Sequence, residues 1–311
     1  MRILTDSNDK RAIISRKDAL FLSHQHCLGK YGGFLMGITE KKCIAVKIGT
    51  SSLTYPEGTL NLKNMDKIAQ VISDMKHRGF NIILISSGAI AVGVNKLSLK
   101  ERPEDLRIKQ AAASVGQCEL MHLYDKFFGE YGITVGQILL TREDIGRDII
   151  KDNLSATIQT LMDMGAVPII NENDSVSYEE IESDQKLFGD NDTLSALVAV
   201  FCGADALVLL SDIDGLYEEP PHLNPSTRII REVRVLNDEI KSRASGAGST
   251  RGTGGMVTKL DAAGICMENG IDMIIANGSK PQLLYNIADG EPFGTLFVAK
   301  KPPAGGDHLG G

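Results

Sequence analysis

Cysteine pairs and long apolar runs are both missing from this chain. Its five cysteines lie far apart, with no CxxC pair, a pattern that favours a reducing compartment over a disulfide framework. The grouping of His24, His26 and Cys27 has no partner ligands near it in the sequence, and we predict no metal held by the protein itself. No apolar run approaches the ~20 residues needed to cross a bilayer. We therefore predict a cytoplasmic protein that does not bind membranes.

A basic surface is lacking as well. The chain has 33 Lys and Arg residues against 40 Asp and Glu residues, which gives a formal charge of -7. No run of the sequence gathers its cations into a stripe, whereas binding to nucleic acid depends mainly on such clusters. We therefore predict no nucleic-acid partner. The apolar segment ALFL near the amino terminus is too short for the core of a secretory signal.

The chain divides into one long patterned region and two short flanks. Its 311 residues, of which 42% are hydrophobic, can form one large domain or two ordinary ones. Residues 1–35 lack the alternation of elements seen later, and Met36 begins the first regular stretch. We interpret residues 1–35 as an extension that is either flexible or foreign to the natural chain. Residues 36–300 are predicted to form a single domain, and residues 301–311 a tail.

Short apolar runs alternate with longer amphipathic segments from residue 43 onward. The runs, which we predict to be strands, are CIAVKI (43–48), NIILIS (81–86), ITVGQILL (133–140), AVPII (166–170), ALVLLS (206–211) and DMIIA (272–276). The segment at 62–79 is typical of an intervening helix, because its apolar residues recur every three or four positions. This alternation predicts an α/β fold, a three-layer α/β/α sandwich around a largely parallel central sheet.

Small and polar residues follow the apolar runs at the point where each predicted strand ends. Lys47 and Gly49 close the first run, residues 86–89 (SSGA) the second, residues 171–175 (NENDS) the fourth and residues 211–215 (SDIDG) the fifth. Loops are commonly polar for other reasons. In open α/β sheets, however, ligands bind beyond the carboxyl ends of the strands. The recurrence after several strands favours a binding site at this edge.

Two lysines occupy positions that favour a bound anion. Lys47 stands between apolar neighbours in AVKIG, where a buried ammonium needs a compensating charge, although a lysine at a strand end can also extend to solvent. Lys259 lies in the first turns of a predicted helix after the glycine-rich segment GTGG. Acids are the residues normally favoured there, so the lysine and the exposed N–H groups indicate a phosphate site. The alternative is a flexible turn.

Two aspartates around an asparagine, Asp190, Asn191 and Asp192, precede the apolar helical pattern TLSALVAVF. Asp190 or Asn191 can cap the helix, a role worth ~1 kcal/mol, but a cap needs only one of the three residues. In the alternative that we favour, a carboxylate lies between the two lysines and orients both through charge-assisted hydrogen bonds. Neither a Walker A loop nor a strict GxGxxG motif is present, which disfavours P-loop kinases and dinucleotide-binding folds.

Several strings together resemble the glutamate 5-kinases of the amino acid kinase family. They are VKIGTSSLT, SSGAIAVG, QILLTRED, VPIINENDSVS, FGDNDTLSALVA, LLSDIDGLY and GTGGMVTKL, which occur in order over about residues 43–298. The string FGDNDTLSA is the most specific, because most other members of the family carry different substrate loops. The resemblance implies the amino acid kinase fold, which agrees with the sandwich predicted above.

The resemblance also implies an activity: ATP-dependent phosphorylation of the side-chain carboxylate of L-glutamate to L-glutamyl 5-phosphate, the first step of proline biosynthesis. It implies that Lys47 and Lys259 neutralise charge on the transferred phosphoryl group, and that Asp192 organises them. The glutamate-binding residues that it implies are Ser87, Asp174, Asn191 and Asn171. The ATP-binding residues that it implies are Lys47, Ser211, Asp212, Thr253, Gly254, Gly255, Met256, Val257, Thr258 and Lys259.

Further expectations follow from the same resemblance. ATP is expected to bind with Mg²⁺, which prefers phosphate and water ligands. Proline is expected as a feedback inhibitor, and a homo-oligomer, either a dimer or a tetramer, is expected as the assembly. Many bacterial members carry a C-terminal PUA domain, which we do not expect here. The alternatives are another family phosphotransferase acting on aspartate, acetylglutamate or carbamate, and an amino-acid sensor without catalytic activity.

Overall fold

The computed structural model describes residues 42–176, 191–221, 223–245 and 255–300. The predicted extension and tail lie outside the described residues, as do His24, His26, Cys27 and two residues of the predicted ATP loop, Thr253 and Gly254. The limits assigned to the domain therefore stay predictions. Within the described ranges, every helix is too short or too polar to traverse a bilayer.

A mostly parallel sheet forms the centre of the described fold. Its strands are β1 Cys43–Ile48, β2 Asn81–Ile85, β3 Val135–Leu140, β4 Val167–Glu172, β5 Ala206–Ser211, β6 Glu232–Val233, β7 Asp272–Asn277 and β8 Thr295–Phe297. Their order in the sheet is β3-β4-β2-β1-β5-β7-β8-β6. Neighbouring strands are parallel except for β7 and β8, which are antiparallel. The carboxyl ends of β1, β2, β4, β5 and β7 therefore share one edge, as parallel pairing requires.

Helices connect the strands and cover both faces of the sheet. They are α1 Thr50–Leu53, α2 Leu62–His77, α3 Ala89–Lys96, α4 Leu106–Glu130, α5 Arg142–Gly146, α6 Asp148–Asp163, α7 Asn191–Phe201, α8 Asp238–Ser245, α9 Met256–Glu268 and α10 Tyr285–Asp289, with a 3₁₀ helix at Pro281–Leu284. Helix α2 begins where the Asn61 side chain accepts the N–H of Asn64, and ends with Lys76 and His77 in its last turn. Both features stabilise helix ends.

Alternate residues of each central strand face different helix layers. In β1, Ile44, Val46 and Ile48 pack with α2 and α4 in one core cluster. Ala45 packs with α6, α7 and α9 in the other, and Lys47 pairs on that same side with Asp192 of α7. Side chains alternate between the two faces of a strand. Because Val46 and Ile48 are buried on one face, the Lys47 side chain lies on the opposite face. The predicted α/β/α sandwich is confirmed.

The third strand starts later than its sequence predicts. We predicted a strand at 133–140, whereas β3 spans Val135–Leu140. Gly132 has a φ of 72°, and the N–H of Ile133 donates to the carbonyl of Phe128. This left-handed glycine ends α4, as is usual for a helix C-terminus. Ile133 and Thr134, the first two residues of the run, therefore belong to the helix exit and not to the strand.

Two glycines allow α3 and α4 to cross with their backbones in contact. A Cβ added at Gly93 would stand 1.7 Å from the carbonyl oxygen of Ala112, and one added at Gly116 would stand 1.8 Å from that of Ala89. Neither contact can be relieved by a side-chain rotation, because the opposing atoms are backbone atoms. The close crossing holds α3, which begins directly after Ser87 and Gly88, against the long helix α4.

We predict that Gly93→Ala lowers the free energy of unfolding by more than about 3 kcal/mol, because the added methyl group overpacks a backbone contact. Gly129→Ala is the matched control, since Gly129 lies in α4 with nothing within 4 Å of an added Cβ. Alanine at this position favours the helix over glycine by up to about 1 kcal/mol. Urea unfolding of both variants measures the difference, and equal stabilities would contradict the close crossing.

Candidate active site

Lys47, Asp192 and Lys259 form a buried triad at the carboxyl edge of the sheet. The Lys47 Nζ lies 2.6 Å from Asp192 Oδ1, and the Lys259 Nζ lies 3.0 Å from Asp192 Oδ2. The three residues come from β1, α7 and α9, and Asp192 has no exposed surface. The hydroxyl of Thr258 approaches the same Oδ2 at 3.3 Å. Each carboxylate oxygen of Asp192 is thus paired with one lysine of the triad.

The charges of the triad explain how these groups tolerate burial. Burial alone would raise the pKa of Asp192, but attraction by Lys47 and Lys259 and their hydrogen bonds lower the pKa below its usual value. Two ammonium groups and one carboxylate carry one excess positive charge between them. Such an arrangement favours the arrival of an anion, because charge in a low-dielectric site interacts strongly.

The start of α9 supplies a second feature suited to an anion. Gly255 stands at the helix N-cap without a side-chain hydrogen bond to the helix, and no acid occupies the first turn. Helix N-termini present N–H groups and the positive end of the helix dipole. Of the predicted ATP loop, the structure places Gly255, Met256, Val257, Thr258 and Lys259 at this helix start.

Amide side chains connect the ends of β2, β4 and α7. The Nδ2 of Asn191 donates to the carbonyl of Ser86 at 3.2 Å and lies 3.4 Å from the Oδ1 of Asn171. The Nδ2 of Asn171 donates in turn to Oε1 of Gln117 at 2.8 Å. Gln117, which lies on the buried side of α4, was missed by the sequence reasoning. A glutamine among small residues in AAASVGQ was the available signal.

Ser87 lies at the end of β2 beside the loop that follows β1. Its hydroxyl donates to the carbonyl of Ile48 at 2.7 Å and accepts from Thr50 at 3.3 Å. Gly88, the next residue, has a φ of 90°, a conformation that glycine adopts at little cost. The turn after β2 is thereby held against the turn after Lys47.

Asp174 is half-buried shortly after β4 and is difficult to ionise. Its pKa is raised from 3.8 to about 7, first by burial and second by the nearby charge of Glu172, while Arg102 lowers it. Carboxyls in such surroundings hold a proton near neutral pH unless a cation approaches. Raised values of this kind are frequent in functional clefts.

Ser211 ends β5 and Asp212 follows it, beside a small polar pocket of about 220 Å³. The hydroxyl of Ser211 donates to Asp212 Oδ1 at 3.0 Å, and Asp212 is exposed. Within the described ranges, no group of three His, Cys, Asp or Glu residues is placed to hold a metal ion. Every predicted site residue that is described lies at the carboxyl edge of the sheet or at the start of α7 or α9.

Comparison with known proteins assigns the chain that carries this site to a family. The sequence profile of the Amino acid kinase family matches residues 42–277, and the chain belongs to the amino acid kinase family. Within that family it is 52% identical over 264 residues to a glutamate 5-kinase of Clostridium perfringens, covering 85% of this chain and 98% of the relative. It is 48% identical over 264 residues to a glutamate 5-kinase of Listeria monocytogenes serotype 4a, covering 85% and 95%.

Solved structures support the same fold at low sequence identity. A carbamate kinase from Giardia lamblia bound to AMP-PNP superposes with a TM-score of 0.58 at 15% identity, covering 84% of this chain and all of the other. A UMP kinase from Bacillus anthracis gives a TM-score of 0.55 at 13% identity, covering 84% and 97%. These similarities confirm the amino acid kinase fold.

We predict that Asp174→Asn raises the melting temperature of the protein, and more so at pH 8 than at pH 5. The folded pKa lies above the unfolded one, so ionisation opposes folding. The penalty is absent below pH 3.8, grows up to about pH 7 and is constant above. We expect a gain of about 3 °C or more at pH 8, measured by thermal unfolding across this range.

The exposed Asp152, which lies on α6, provides the control. Asp152→Asn also removes one negative charge, but from a solvated side chain, and should leave the melting temperature nearly unchanged at every pH. A gain for Asp174→Asn that is equally large at pH 5 and pH 8 would show that ionisation is not its cause.

Proposed function

We propose that the chain is an ATP-dependent kinase that transfers the γ-phosphoryl group of ATP to the side-chain carboxylate of L-glutamate. The product would be L-glutamyl 5-phosphate, formed in the first step of proline biosynthesis. Identities of 48% and 52% to glutamate 5-kinases over at least 95% of their length support this assignment. The observation that carries it is the buried triad of Lys47, Asp192 and Lys259.

The triad suits phosphoryl transfer. This chemistry depends chiefly on positioning the reactants and neutralising the charge of the moving group. Lys47 and Lys259 approach the carboxylate of Asp192 from different layers of the fold, so a phosphoryl group beside them would meet both ammonium groups. Asp192 would keep the two cations in place without itself reacting.

The acceptor needs recognition more than activation. A glutamate side chain is already ionised at neutral pH, so no strong general base is required. We assign Asp174 as the partner of the α-ammonium group of glutamate. The approach of this cation would displace the proton of the Asp174 carboxyl group. Asn191, Asn171 and Ser87 would complete the glutamate site, because they line the same edge between β2, β4 and α7. An acylated amine would lose the ionic contact with Asp174.

ATP is assigned to the side of the triad formed by β5 and α9. The start of α9, Gly255 to Lys259, would face the phosphates, and Ser211 and Asp212 would contact the nucleotide beside them. Mg²⁺ fits this site as a companion of the phosphates, because Asp212 is the one carboxylate among the residues assigned to ATP and Mg²⁺ retains water and phosphate ligands. When bound, it would neutralise phosphate charge.

We infer three further properties from the relationship to glutamate 5-kinases. They are feedback inhibition by proline, assembly of identical chains into a dimer or tetramer, and a cytoplasmic location. The inhibition concerns the proposed activity directly, since inhibition by the end product of a pathway acts on its first step. The assembly and the location concern the same proposed enzyme.

We expect purified protein with ATP and Mg²⁺ to release ADP when L-glutamate is added. Aspartate, acetylglutamate, carbamate and UMP, tested in parallel, should give little release. The last three lack the free α-ammonium group that Asp174 would bind, and aspartate is one methylene too short to place its side-chain carboxylate beside the triad. The assay should be repeated with proline, which is expected to reduce the rate. Release with another acceptor but none with glutamate would reject the proposed substrate.

We expect Lys259→Ala to lower kcat about 100-fold or more, because it removes one of two cations beside the transferred group. Asp192 keeps its contact with Lys47 at 2.6 Å, so the variant should still fold. Lys300→Ala is the control, since the Lys300 Nζ lies 3.6 Å from Glu268 in an exposed ion pair. Steady-state ADP release and thermal unfolding are measured for both. A Lys259→Ala variant with unchanged kcat would contradict the role given to the triad.

A further inference from the structure

Residues 277–280, which are the last residue of β7 and the loop after it, make contacts that the proposed chemistry does not yet use. Asn64, which is buried near the start of α2, donates through Nδ2 to the carbonyl of Ser52 at 2.8 Å and to that of Gly278 at 2.9 Å. Ser52 belongs to α1, the single helical turn within the connection that follows β1, which is called here the loop after β1. One amide group therefore joins the loops after β1 and β7 by two buried hydrogen bonds.

The same two loops are packed without spare room. A Cβ at Gly278 would lie 2.1 Å from the Ser52 Oγ and 3.2 Å from the carbonyl carbon of Leu210. The N–H of Gly278 donates to the carbonyl of Ser211 at 2.7 Å. Gly278 thus lies between the loop after β1 and the end of β5, where the separation of the loops is set by direct contact.

A second set of bonds ties the loop after β7 to the loop after β5. The Nδ2 of Asn277 donates to Asp214 Oδ1 at 3.0 Å, and Lys280 approaches the same oxygen at 3.3 Å. The hydroxyl of Tyr217 lies 3.4 Å from Asp214 Oδ2. Loop 277–280 is therefore bonded on one side to the segment that carries Asp212 and on the other, through Asn64, to the segment that follows Lys47.

These three loops enclose the polar pocket of about 220 Å³. Its lining includes Ser51, Asn64, Ser211, Asp212, Asn277 and Ser279. Two of them, Ser211 and Asp212, are residues assigned above to ATP. The distance between the loop after β1 and the loop after β5 sets the width of this pocket, and Asn64 and Gly278 help to fix that distance.

We propose that Asn64 is a positioning residue for the nucleotide, which holds the loops after β1 and β7 together and so shapes the wall that receives ATP. The proposal rests on the proposed function and names the donor side of that site. Asn64 acts through the backbone of Ser52 and Gly278. Loss of its two donors leaves two buried carbonyl groups without these partners, and the loops separate.

The test uses Asn64→Asp, which keeps the size of the side chain and replaces both N–H groups by an oxygen facing two carbonyls. We expect the KM for ATP and the Kd for ADP, measured by calorimetry without glutamate, to rise about tenfold. The KM for glutamate should change less than about twofold, since that site lies at β2, β4 and α7. Ile68→Val, a fully buried change on the same helix, should lower the melting temperature and leave both KM values unchanged.

Gly278→Ala examines the same contact from the other side. The methyl group would collide with Ser52, so this variant should also weaken ADP binding about tenfold. Adding Ser52→Gly removes the colliding atoms and should restore part of the affinity, a coupling that independent sites do not show. This pair keeps the proposal open to refutation if Asn64→Asp fails to fold.

Two negative results have different meanings. If the parent protein binds ADP but forms no ADP from ATP when glutamate is added, the proposed function fails. The positioning role of Asn64 can then still be measured through the Kd for ADP. If the parent protein is active and Asn64→Asp alters only the melting temperature, or raises both KM values equally, Asn64 is structural and the inference is overturned.

Discussion

One buried carboxylate ties together the elements at the carboxyl edge of the sheet. Asp192 joins β1 and α9 through two lysines that are 145 and 67 residues away in the chain. Removing charges from water costs several kcal/mol per ion, which only close pairing offsets. The triad is therefore stable only when the sheet and both helices are in place. Its assembly depends on the complete fold, and the geometry of the site depends on its assembly.

The sheet supplies the condition for that pairing. Because β1 lies between β2 and β5 in parallel register, the loops after these strands emerge side by side. The proposed acceptor groups lie towards β2 and β4, and the proposed nucleotide groups lie towards β5, β7 and α9. Lys47, on β1, lies between the acceptor groups and the nucleotide groups. This division explains how one edge can bind two reactants while keeping their recognition separate.

Much of this arrangement could be predicted from the sequence, for a physical reason. A lysine in an apolar strand and a lysine at a helix start both conflict with local preferences, and such conflicts mark function. The roles of Gln117 and Asn64 could not be predicted, because a polar residue on a helix looks ordinary until its partners are known. Their partners are an amide 54 residues away and a carbonyl 214 residues away. The start of β3 was misplaced because apolar residues suit both a strand and the end of a helix.

The pairing within the triad also bears on chemical self-protection. The proposed product is a mixed anhydride of a carboxylic acid and phosphoric acid, which acylates amines readily. A neutral lysine beside it would be open to acylation, which would inactivate the protein. An ammonium group held against a carboxylate has no free electron pair with which to attack. Asp192 would thus allow two lysines to remain next to a reactive anhydride bond without being acylated by it.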